Sequence, residues 1–167
     1  LIHMNEKQAL LGNFVDLTEG RVMHLAYNDA LTGLPNRKLM MDRMEQAIVA
    51  AKRRNEKLAL LFMDLDGFKN VNDQYGHEIG DKLLIEIAGK LREVVRREND
   101  TISRFGGDEF LILLTDIIHR DHIESIIFHL FDKFTKPISI AGTNVTNRVC
   151  FSVVAALYPE HCEYSDT

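Results

Sequence analysis

Two apolar runs separated by a short glycine-containing turn are the feature that most constrains the fold of this 167-residue chain. Residues 101–105 and 110–114 have the composition of strands, and Gly-Gly-Asp-Glu stands between them at 106–109. This arrangement predicts a β-hairpin whose glycines allow a ligand to approach the backbone closely. The paired acids Asp108 and Glu109 at its tip favour a divalent cation. A solvent-exposed acidic turn without a function has the same local pattern.

A second pair of acidic residues follows the continuously apolar run 58–63. A short unbroken run is typical of a strand that is buried on both faces, and α/β sheets place ligand chemistry at the ends of such strands. Asp64 and Asp66 stand at that end, and Asp-x-Asp-Gly also opens a calcium-binding loop. We exclude that loop because Lys69 occupies its glycine position and Tyr75 occupies its glutamate position.

Helical and strand patterns alternate along the rest of the chain. Apolar spacing predicts a helix that has Pro35 in its first turn and ends near Arg54, a second that ends near Arg97, and a third over about 121–134. A second hairpin is predicted from 137–140 and 145–156. This order indicates an α/β (α+β) sandwich with a mixed central β-sheet flanked by helices. The inward-facing helical residues are predicted to be Met40, Met44, Ala47, Ile48, Ala51, Leu84, Ile87, Ala88, Leu91, Val95, Ile123, Ile127, Leu130 and Phe131 or Phe134.

Composition excludes several classes of protein. The formal charge is −5 with no basic block, which argues against a polymeric nucleic acid as partner but not against a mononucleotide. Cys150 and Cys162 have neither metal-binding nor redox spacing, so we expect reduced thiols in the cytoplasm. No apolar run reaches the length of a membrane span and no signal peptide is visible. A membrane anchor in a segment upstream of Leu1 stays an alternative.

Five ordered motifs run through the chain: Asp29-Ala-Leu-Thr-Gly-Leu-Pro-Asn-Arg37, Phe62-Met-Asp-Leu-Asp-Gly-Phe-Lys69, Asn72-Asp-Gln-Tyr-Gly-His-Glu-Ile-Gly-Asp81, Gly106-Gly-Asp-Glu-Phe110 and Ala156-Leu-Tyr-Pro159. Together they resemble the motifs of GGDEF domains, the diguanylate cyclases that make cyclic di-GMP from two GTP molecules. The resemblance implies a nucleotidyl-cyclase-like fold. It divides the chain into an N-terminal segment with a linker helix at 1–28 and a GGDEF domain at 29–167 that lacks its final helix and strand.

The N-terminal segment permits two interpretations. Residues 13–19, Asn-Phe-Val-Asp-Leu-Thr-Glu, resemble the closing strand of a PAS sensor domain, and Val22, Leu25 and Ala26 are spaced for one apolar helix face. In the resembled family such a helix commonly links a sensor to the cyclase. A leader with one amphipathic turn explains the same spacing.

The resemblance implies a metal-dependent active site. Asp64 and Asp108 would bind Mg²⁺ or Mn²⁺ together with the Leu65 carbonyl, and Glu109 matches a residue implicated in metal binding or in activating the 3′-hydroxyl. The candidate catalytic residues are therefore Asp64, Asp108 and Glu109. The implied reaction is attack of a 3′-hydroxyl on an α-phosphate with expulsion of pyrophosphate. The alternative for Asp64 is a strand-end cap.

The resemblance also implies a set of GTP-binding residues. Asn72 and Asp81 match guanine contacts, since an amide offers both a donor and an acceptor and a carboxylate accepts from N1–H and the exocyclic amine. Without the resemblance, Asn72 would be interpreted as a helix N-cap. Phe68 and Lys69 match positions near the phosphates, where the backbone N–H groups of 65–68 could also bind phosphate. The implied substrate-binding set is Asn72, Asp81, Phe68, Lys69, Gly106 and Gly107.

Arg97 and Asp100 match the product-inhibition site of the resembled family. They form an Arg-x-x-Asp sequence separated from Gly106 by five residues, which is the family spacing. The planar fork of arginine suits phosphate and guanine edges. An ordinary helix-end arginine followed by a turn aspartate is the alternative. Because one domain holds one GTP, the resemblance further implies a two-fold homodimer as the active form.

The histidines suggest a competing metal site. His119 and His122, with Asp116 and Asp121 nearby, have a spacing that zinc could use, but a solvated loop and helix start explains the same residues. We interpret His77, in the Gly-His turn, as structural.

Because the chain departs from the family pattern in two ways, the sequence is compatible with two classes of function. Val154 stands where the family's Ser-Ile-Gly has its glycine, and the chain reaches Thr167 without the family's final helix and strand, which should expose an apolar face. The first class is a diguanylate cyclase. The second is a catalytically weak or inactive GGDEF domain that binds GTP or cyclic di-GMP to regulate an attached domain, such as a phosphodiesterase.

Overall fold

The computed structural model describes residues 26–160, in which helices and strands alternate as the sequence predicts. In chain order the elements are α1 (Arg37–Arg54), β1 (Lys57–Asp66), α2 (Phe68–Tyr75), α3 (His77–Val94), β2 (Thr101–Gly106), β3 (Glu109–Ile117), α4 (Arg120–Phe134), β4 (Ile138–Ser139), β5 (Thr146–Asn147) and β6 (Cys150–Tyr158). The PAS-like residues 13–19, Val22, Leu25 and Cys162 lie outside the described residues, and the predicted linker helix is represented only by Ala26 and Tyr27, which are helical.

The main sheet has four strands in the order β2-β3-β1-β6. β1 pairs with β3 on one side and β6 on the other, and each pairing in this sheet is antiparallel. Ala59, Leu61 and Met63 of β1 are fully buried, which confirms the predicted core strand. The predicted fold class, an α/β (α+β) sandwich with a sheet flanked by helices, is also confirmed, but the central sheet was predicted to be mixed and is instead antiparallel in all three of its pairings. Its strands alternate in direction because β2 and β3 form a hairpin between two helical connections.

Helices cover the two faces of this sheet. α3 and α4 pack on one face, where Leu91 and Leu130 are completely buried, and α1 packs on the other through Met40 and Ala51. Burying one such leucine stabilises the fold by about 1.5–3 kcal/mol. The sequence left Phe131 and Phe134 as alternative core residues of α4. Phe134 is the buried one, whereas Phe131 is 47% exposed and stacks on Phe151.

α1 begins after Asn36, whose side chain accepts a hydrogen bond from the Leu39 N–H at 3.1 Å. Pro35 therefore precedes the helix instead of occupying its first turn. It bridges to Asn28, and its carbonyl accepts from the Arg104 N–H at 3.1 Å. An asparagine side chain can bind a free N–H of the first turn, which explains why the helix starts at this residue.

The polar stretch between β1 and α3 forms the short helix α2, for which the apolar spacing gave no prediction. α2 and α3 are joined by the single residue Gly76, which ends one helix and begins the next at φ 85°. Asn72 therefore lies inside α2 and is not an N-cap. α3 ends at Val94, before the predicted end near Arg97, so Arg97 stands in the loop that leads to β2.

The predicted second hairpin is divided into two parts. β4 and β5 form a separate two-stranded sheet, whereas β6 joins the main sheet along β1. Residues 148 and 149 belong to neither strand, so the continuous strand predicted over 145–156 is interrupted there. Across residues 26–160, no helix combines the length and the apolar character needed to cross a membrane.

Candidate functional site

The end of β1 meets the tip of the β2–β3 hairpin. Asp64 is the cross-strand partner of Glu109, and the Leu65 N–H donates to the Asp108 carbonyl at 3.4 Å. Directly opposite residues of antiparallel strands have Cβ atoms about 4.5–5.5 Å apart, so the two carboxylates share one small region. Asp64 is exposed and both hairpin acids are half-buried, which leaves their oxygens open to a ligand. The antiparallel register thus brings together the three candidate catalytic residues.

The conformation of the hairpin tip depends on its glycines and on the buried side chain of Phe110. Gly107 has φ +44°, a value that L residues with side chains rarely adopt, and Gly106 pairs with Glu109. Phe110, directly after the acids, is completely buried and fixes the start of β3 in the core. The acids are therefore mounted on a rigid turn and not on a free loop.

Arg104 connects this turn to Asp29 by hydrogen bonds. Its Nε donates to the Gly107 carbonyl at 2.9 Å, and its Nη1 donates to both carboxylate oxygens of Asp29 at 3.2 and 3.3 Å. The side chain of Arg104 is 15% exposed, so water competes little for these contacts. Neither Arg104 nor Asp29 was among the predicted site residues. The available signals were that Asp29 opens the first motif and that Arg104 stands two residues before the Gly-Gly-Asp-Glu motif.

Asp29 is the centre of a small hydrogen-bond network. Its Oδ1 accepts from the Thr32 N–H at 2.8 Å and from Thr32 Oγ1 at 2.7 Å. Partial burial by itself raises the pKa of Asp29, but the hydrogen bonds from Thr32 and Arg104 and the charge of Arg104 outweigh it, so the pKa lies below its usual range. Asp29 is therefore a charged anchor for the turn that precedes α1.

The carboxylates at the tip fit a metal that is completed by substrate. In the described range 26–160, no three His, Cys, Asp or Glu side chains converge to hold a metal ion by themselves. Magnesium in nucleotide enzymes typically uses one or two carboxylates plus substrate phosphates, so a complete protein cage is not required. The donors available at the tip, carboxylate oxygens of Asp64 and Asp108, are the hard ligands that Mg²⁺ or Mn²⁺ prefers.

The predicted substrate residues lie on α2 and α3 beside this tip. Phe68 and Lys69 form the first turn of α2, immediately after β1, and Lys69 is exposed. Gly67 precedes the helix at φ 74° without a side-chain cap, and its carbonyl accepts from the Asn70 N–H at 2.9 Å, so the uncapped N–H groups at the helix start are those of Phe68 and Lys69. Asn72 is half-buried on α2 and Asp81 is exposed on α3, so the two predicted guanine contacts come from the two helices joined at Gly76.

Two further polar groups surround the end of β1. Asp66, the second acid of the strand end, accepts a hydrogen bond from Ser152 Oγ of β6 at 3.1 Å. Val154, two residues further along β6, is the partner of Phe62 and is 67% exposed. Because side chains on one face of a strand recur every second residue, Val154 lies on the same face of the sheet as Asp64.

Arg97 and Asp100 occupy the opposite end of the hairpin from the acidic tip. Asp100 directly precedes β2 and the tip directly follows it, and six strand residues separate the two ends by about 20 Å. Arg97 Nη1 donates to the Thr115 carbonyl at 3.2 Å and lies 3.3 Å from His122 Nε2. The structure therefore places this pair in a location distinct from the predicted catalytic residues.

Asp100 is a buried acid, and one of its two carboxylate oxygens has no hydrogen-bond partner. Its Oδ1 accepts from the Thr115 N–H at 3.0 Å, while its Oδ2 is buried without a hydrogen-bond partner. Asp100 is 9% exposed, and burial raises its pKa even though the Thr115 N–H and the charge of Arg97 act in the other direction. A buried acceptor without a protein partner can accept a hydrogen bond from an ordered water or from a bound ligand. Asn99, Thr101 and Thr115 also line an adjoining cavity of about 410 Å³.

The histidines are placed around α4. His119 precedes its first turn without a side-chain capping bond, and His122 contacts Arg97. In the described part of the chain, neither belongs to a group of three metal-binding side chains.

Comparison with known proteins identifies the family. A family model described as "Diguanylate cyclase, GGDEF domain" matches residues 26–166. Over 156 residues the chain is 42% identical to MucR of Pseudomonas aeruginosa, a bifunctional diguanylate cyclase/cyclic di-GMP phosphodiesterase, covering 93% of this chain and 22% of MucR. Over 141 residues it is 38% identical to the diguanylate cyclase TpbB of the same species, covering 84% of this chain and 32% of TpbB. The chain thus spans less than a third of either relative.

Solved structures support the same assignment. The GGDEF domain of TpbB aligns with a TM-score of 0.75 at 37% identity, covering 80% of this chain and 76% of that one. The GGDEF domain of DgcB from Caulobacter crescentus, solved in complex with cyclic di-GMP, aligns with a TM-score of 0.71 at 25% identity, covering 79% and 75%. With its sheet order, its acidic hairpin and a family match over most of its length, the chain belongs to the GGDEF-domain family of diguanylate cyclases.

Proposed function

We propose that this domain condenses two GTP molecules into cyclic di-GMP and releases pyrophosphate, using Mg²⁺ or Mn²⁺ and a two-fold homodimer. The observation that carries the proposal is the pairing of Asp64 with Glu109 and of Leu65 with Asp108, because it joins acids from two distant motifs in one site. The reaction belongs to the cytoplasm, where GTP is available and the exposed free thiol of Cys150 stays reduced.

Asp64 and Asp108 would hold the metal, with the Leu65 carbonyl as a third oxygen. A bound divalent ion there would neutralise phosphate charge in the in-line displacement and favour deprotonation of the 3′-hydroxyl. Glu109, which is half-buried opposite Asp64, would either join the ligands or accept the proton of that hydroxyl. The rigid turn around Gly107 keeps these groups in place while substrate binds.

GTP would extend from the acidic tip towards the junction of α2 and α3. The free N–H groups at the start of α2 and the exposed Lys69 suit phosphate oxygens, which bind well at helix N-termini. Gly106 and Gly107 let the substrate approach the hairpin backbone. Asn72 and Asp81 would then contact the guanine edge. Both the amide and the carboxylate match its pattern of donors and acceptors.

Arg97 and Asp100 would bind the product. The unpaired Oδ2 of Asp100 can accept from a guanine N–H, and the Arg97 guanidinium can contact phosphate or a guanine edge. DgcB has been solved with cyclic di-GMP bound, which shows that a related GGDEF domain takes this ligand. Because this pair lies about 20 Å from the acidic tip, product bound there would act on the active site indirectly.

The test is formation of cyclic di-GMP from GTP and Mg²⁺ at several protein concentrations. We expect product from the parent chain, with a rate per domain that rises with concentration because two domains must meet, and none from Asp108→Ala. Asp132→Ala, which removes an exposed acid on α4, is the matched control and should keep the parent rate. Absence of product from the parent at every concentration would overturn the cyclase proposal.

A regulatory nucleotide-binding domain is the second candidate. It is favoured by Val154, which replaces the family's usual glycine on the face of the sheet that carries Asp64. In this case the chain would bind GTP or cyclic di-GMP without forming product and would control an attached domain, such as a phosphodiesterase. Binding of GTP with no product in the same assay would favour this second function.

A further inference from the structure

The helix pair α2–α3 brings Asn72 against Gly80. Each of these residues lies four positions from Gly76, the single residue that joins the helices. The chain reverses there through two backbone bonds, from the Gly76 N–H to the Asn72 carbonyl at 2.8 Å and from the Gly80 N–H to the Gly76 carbonyl at 3.2 Å. As a result, the last turn of α2 packs on the first turn of α3.

The space beside Gly80 is occupied by the side chain of Asn72. A Cβ atom built on Gly80 would lie 1.9 Å from Asn72 Oδ1, 3.0 Å from its Cγ and 3.2 Å from Phe68 Cζ. Gly80 has an ordinary helical backbone, so its conformation does not require glycine. Glycine destabilises a helix relative to alanine, and its presence here is therefore explained by the Asn72 amide and not by backbone geometry.

A second glycine in α3 shows that this requirement is specific. Gly89 lies in the same helix, and a Cβ atom built on it meets nothing within 4 Å. Replacing Gly89 by alanine adds the same methyl group to the same helix without displacing a neighbour. The pair Gly80 and Gly89 therefore separates the effect of helix propensity from the effect on Asn72.

We propose that Gly80 is a positioning residue for base recognition, because its missing side chain leaves the space that the Asn72 carboxamide occupies and from which it would contact the guanine of GTP. This inference rests on the proposed guanine contact of Asn72. In Gly80→Ala the new methyl group must displace the carboxamide, since the clash is with the end of that side chain and not with backbone. The helices can then stay folded while the amide leaves the position from which it contacts the base.

The experiment measures binding of 3′-deoxy-GTP, which lacks the attacking hydroxyl, to the 167-residue chain in the presence of Mg²⁺ by titration calorimetry. Four variants accompany the parent: Gly80→Ala, Gly89→Ala, Asn72→Ala, and the double variant Asn72→Ala/Gly80→Ala. Thermal unfolding midpoints are recorded for all five. We expect Gly80→Ala to weaken binding about tenfold, as for loss of one well-placed polar contact, and Gly89→Ala to bind like the parent.

The double variant is the decisive measurement. If Gly80 acts through Asn72, adding Gly80→Ala to Asn72→Ala causes no further loss of affinity. If Gly80→Ala alone lowers the unfolding midpoint, the midpoint should recover in the double variant, because the obstructed side chain is gone. Parent-like binding by Gly80→Ala, additive losses in the double variant, or a lowered midpoint that does not recover would each overturn the inference.

The Asn72→Ala arm tests the proposed function separately. If Asn72→Ala binds 3′-deoxy-GTP like the parent, the proposed guanine contact is wrong and the role assigned to Gly80 falls with it. If Asn72→Ala weakens binding but Gly80→Ala does not, the guanine contact stands and only the role of Gly80 is overturned.

Discussion

Arg104 contacts Asp29 with one guanidinium nitrogen and the tip of the acidic hairpin with another. Nη1 donates to the two Asp29 carboxylate oxygens at 3.2 and 3.3 Å, and Nε donates to the Gly107 carbonyl at 2.9 Å. A charge-assisted contact between residues 75 positions apart thus joins the turn before α1 to the turn that carries Asp108. Since Asp29 stands two residues after the helical Tyr27, this contact connects the start of the described part of the chain to the candidate active site.

Replacing Arg104 should loosen the hairpin tip. We expect Arg104→Ala to lower the free energy of unfolding by about 1–3 kcal/mol, because it removes the charged partner of the partly buried Asp29 carboxylate and the Arg104 bond to the Gly107 carbonyl. The rate of product formation should fall more than stability suggests, since the turn positions the acids. Arg53→Ala, which removes an exposed arginine at the end of α1, is the control. Urea denaturation and the product assay measure both effects, and equal behaviour of the two variants would contradict the role of Arg104.

Asp29 should make the fold sensitive to acid. Its pKa in the folded state is lowered below the unfolded value of about 3.9, so its charged form stabilises the fold above that pH. This contribution is lost as pH falls through the folded pKa. We therefore expect the difference in unfolding free energy between the parent and Asp29→Asn to be constant from neutral pH to about 5 and to shrink below about 4. Denaturation curves across this range measure the difference, and one that grows on acidification would contradict the direction of the shift.

The local patterns of the chain were sufficient to predict the hairpin and the core strand. The apolar runs around 106–109 and the run 58–63 are strong local signals, and they form neighbouring strands of the sheet. The family resemblance then supplied the candidate site residues. Whether those residues act as predicted stays a prediction, although the strand register does bring Asp64 to the acidic tip.

The missed features depend on packing between distant or weakly patterned segments. α2 was not predicted because its polar composition resembles a loop, although Phe68 and Val71 are spaced as helix neighbours and pack on the core. The contact between Asp29 and Arg104 joins two segments that lie 75 positions apart and show no mutual pattern along the chain. The break before β6 was missed because residues 148 and 149 do not interrupt the apolar alternation with glycine or proline.

Asp100→Asn should separate product inhibition from stability. The asparagine Oδ1 can still accept from the Thr115 N–H, but the side chain loses the charged acceptor proposed to bind product. We expect cyclic di-GMP to stop inhibiting this variant, while the unfolding free energy at pH 7 stays within about 1 kcal/mol of the parent. Product-inhibition curves and urea denaturation give the two readouts. Unchanged inhibition would contradict the proposed role of Asp100.

The stability of Asp100→Asn relative to the parent should also depend on pH. Burial raises the folded-state pKa of Asp100 above its unfolded value of about 3.9, so the charged form destabilises the fold at neutral pH. This destabilisation disappears as pH falls below the unfolded pKa, where the carboxyl group is protonated in both states. The stability of Asp100→Asn relative to the parent should therefore be highest at neutral pH and decrease towards pH 3, as measured by denaturation across that range.

Removal of divalent metal should abolish the reaction without unfolding the domain. In residues 26–160, no three acidic, cysteine or histidine side chains form a metal cage, so EDTA should leave the unfolding midpoint of the nucleotide-free chain unchanged. We expect product formation to stop in EDTA and to return with Mg²⁺ or Mn²⁺. Metal should raise the midpoint only when 3′-deoxy-GTP is present, because phosphates complete the site. A large stabilisation by metal alone would contradict a substrate-completed site.

Val154→Gly tests whether the departure from the family pattern restrains activity. Val154 is 67% exposed, so its removal leaves no cavity, and a glycine within a strand should lower stability by about 0.5–1 kcal/mol. We expect faster product formation, since Val154 lies on the face of Asp64 two residues from its cross-strand partner Ser152. Ala156→Gly, on the same face of the same strand, is the control. A rate increase in both variants, or in neither, would contradict a specific effect of Val154.

The acidic tip is positioned by main-chain pairing between β1 and β3, and not by packing of the acidic side chains. The backbone pairing of β1 with β3 therefore does not depend on the length or identity of the acidic side chains. Replacing Asp108 by glutamate, or Glu109 by aspartate, would move a carboxylate by one methylene while the strands stay in place. Single substitutions at such a site can change, abolish or restore activity while the fold is kept. Active and inactive domains of this architecture can therefore be separated by very few mutations.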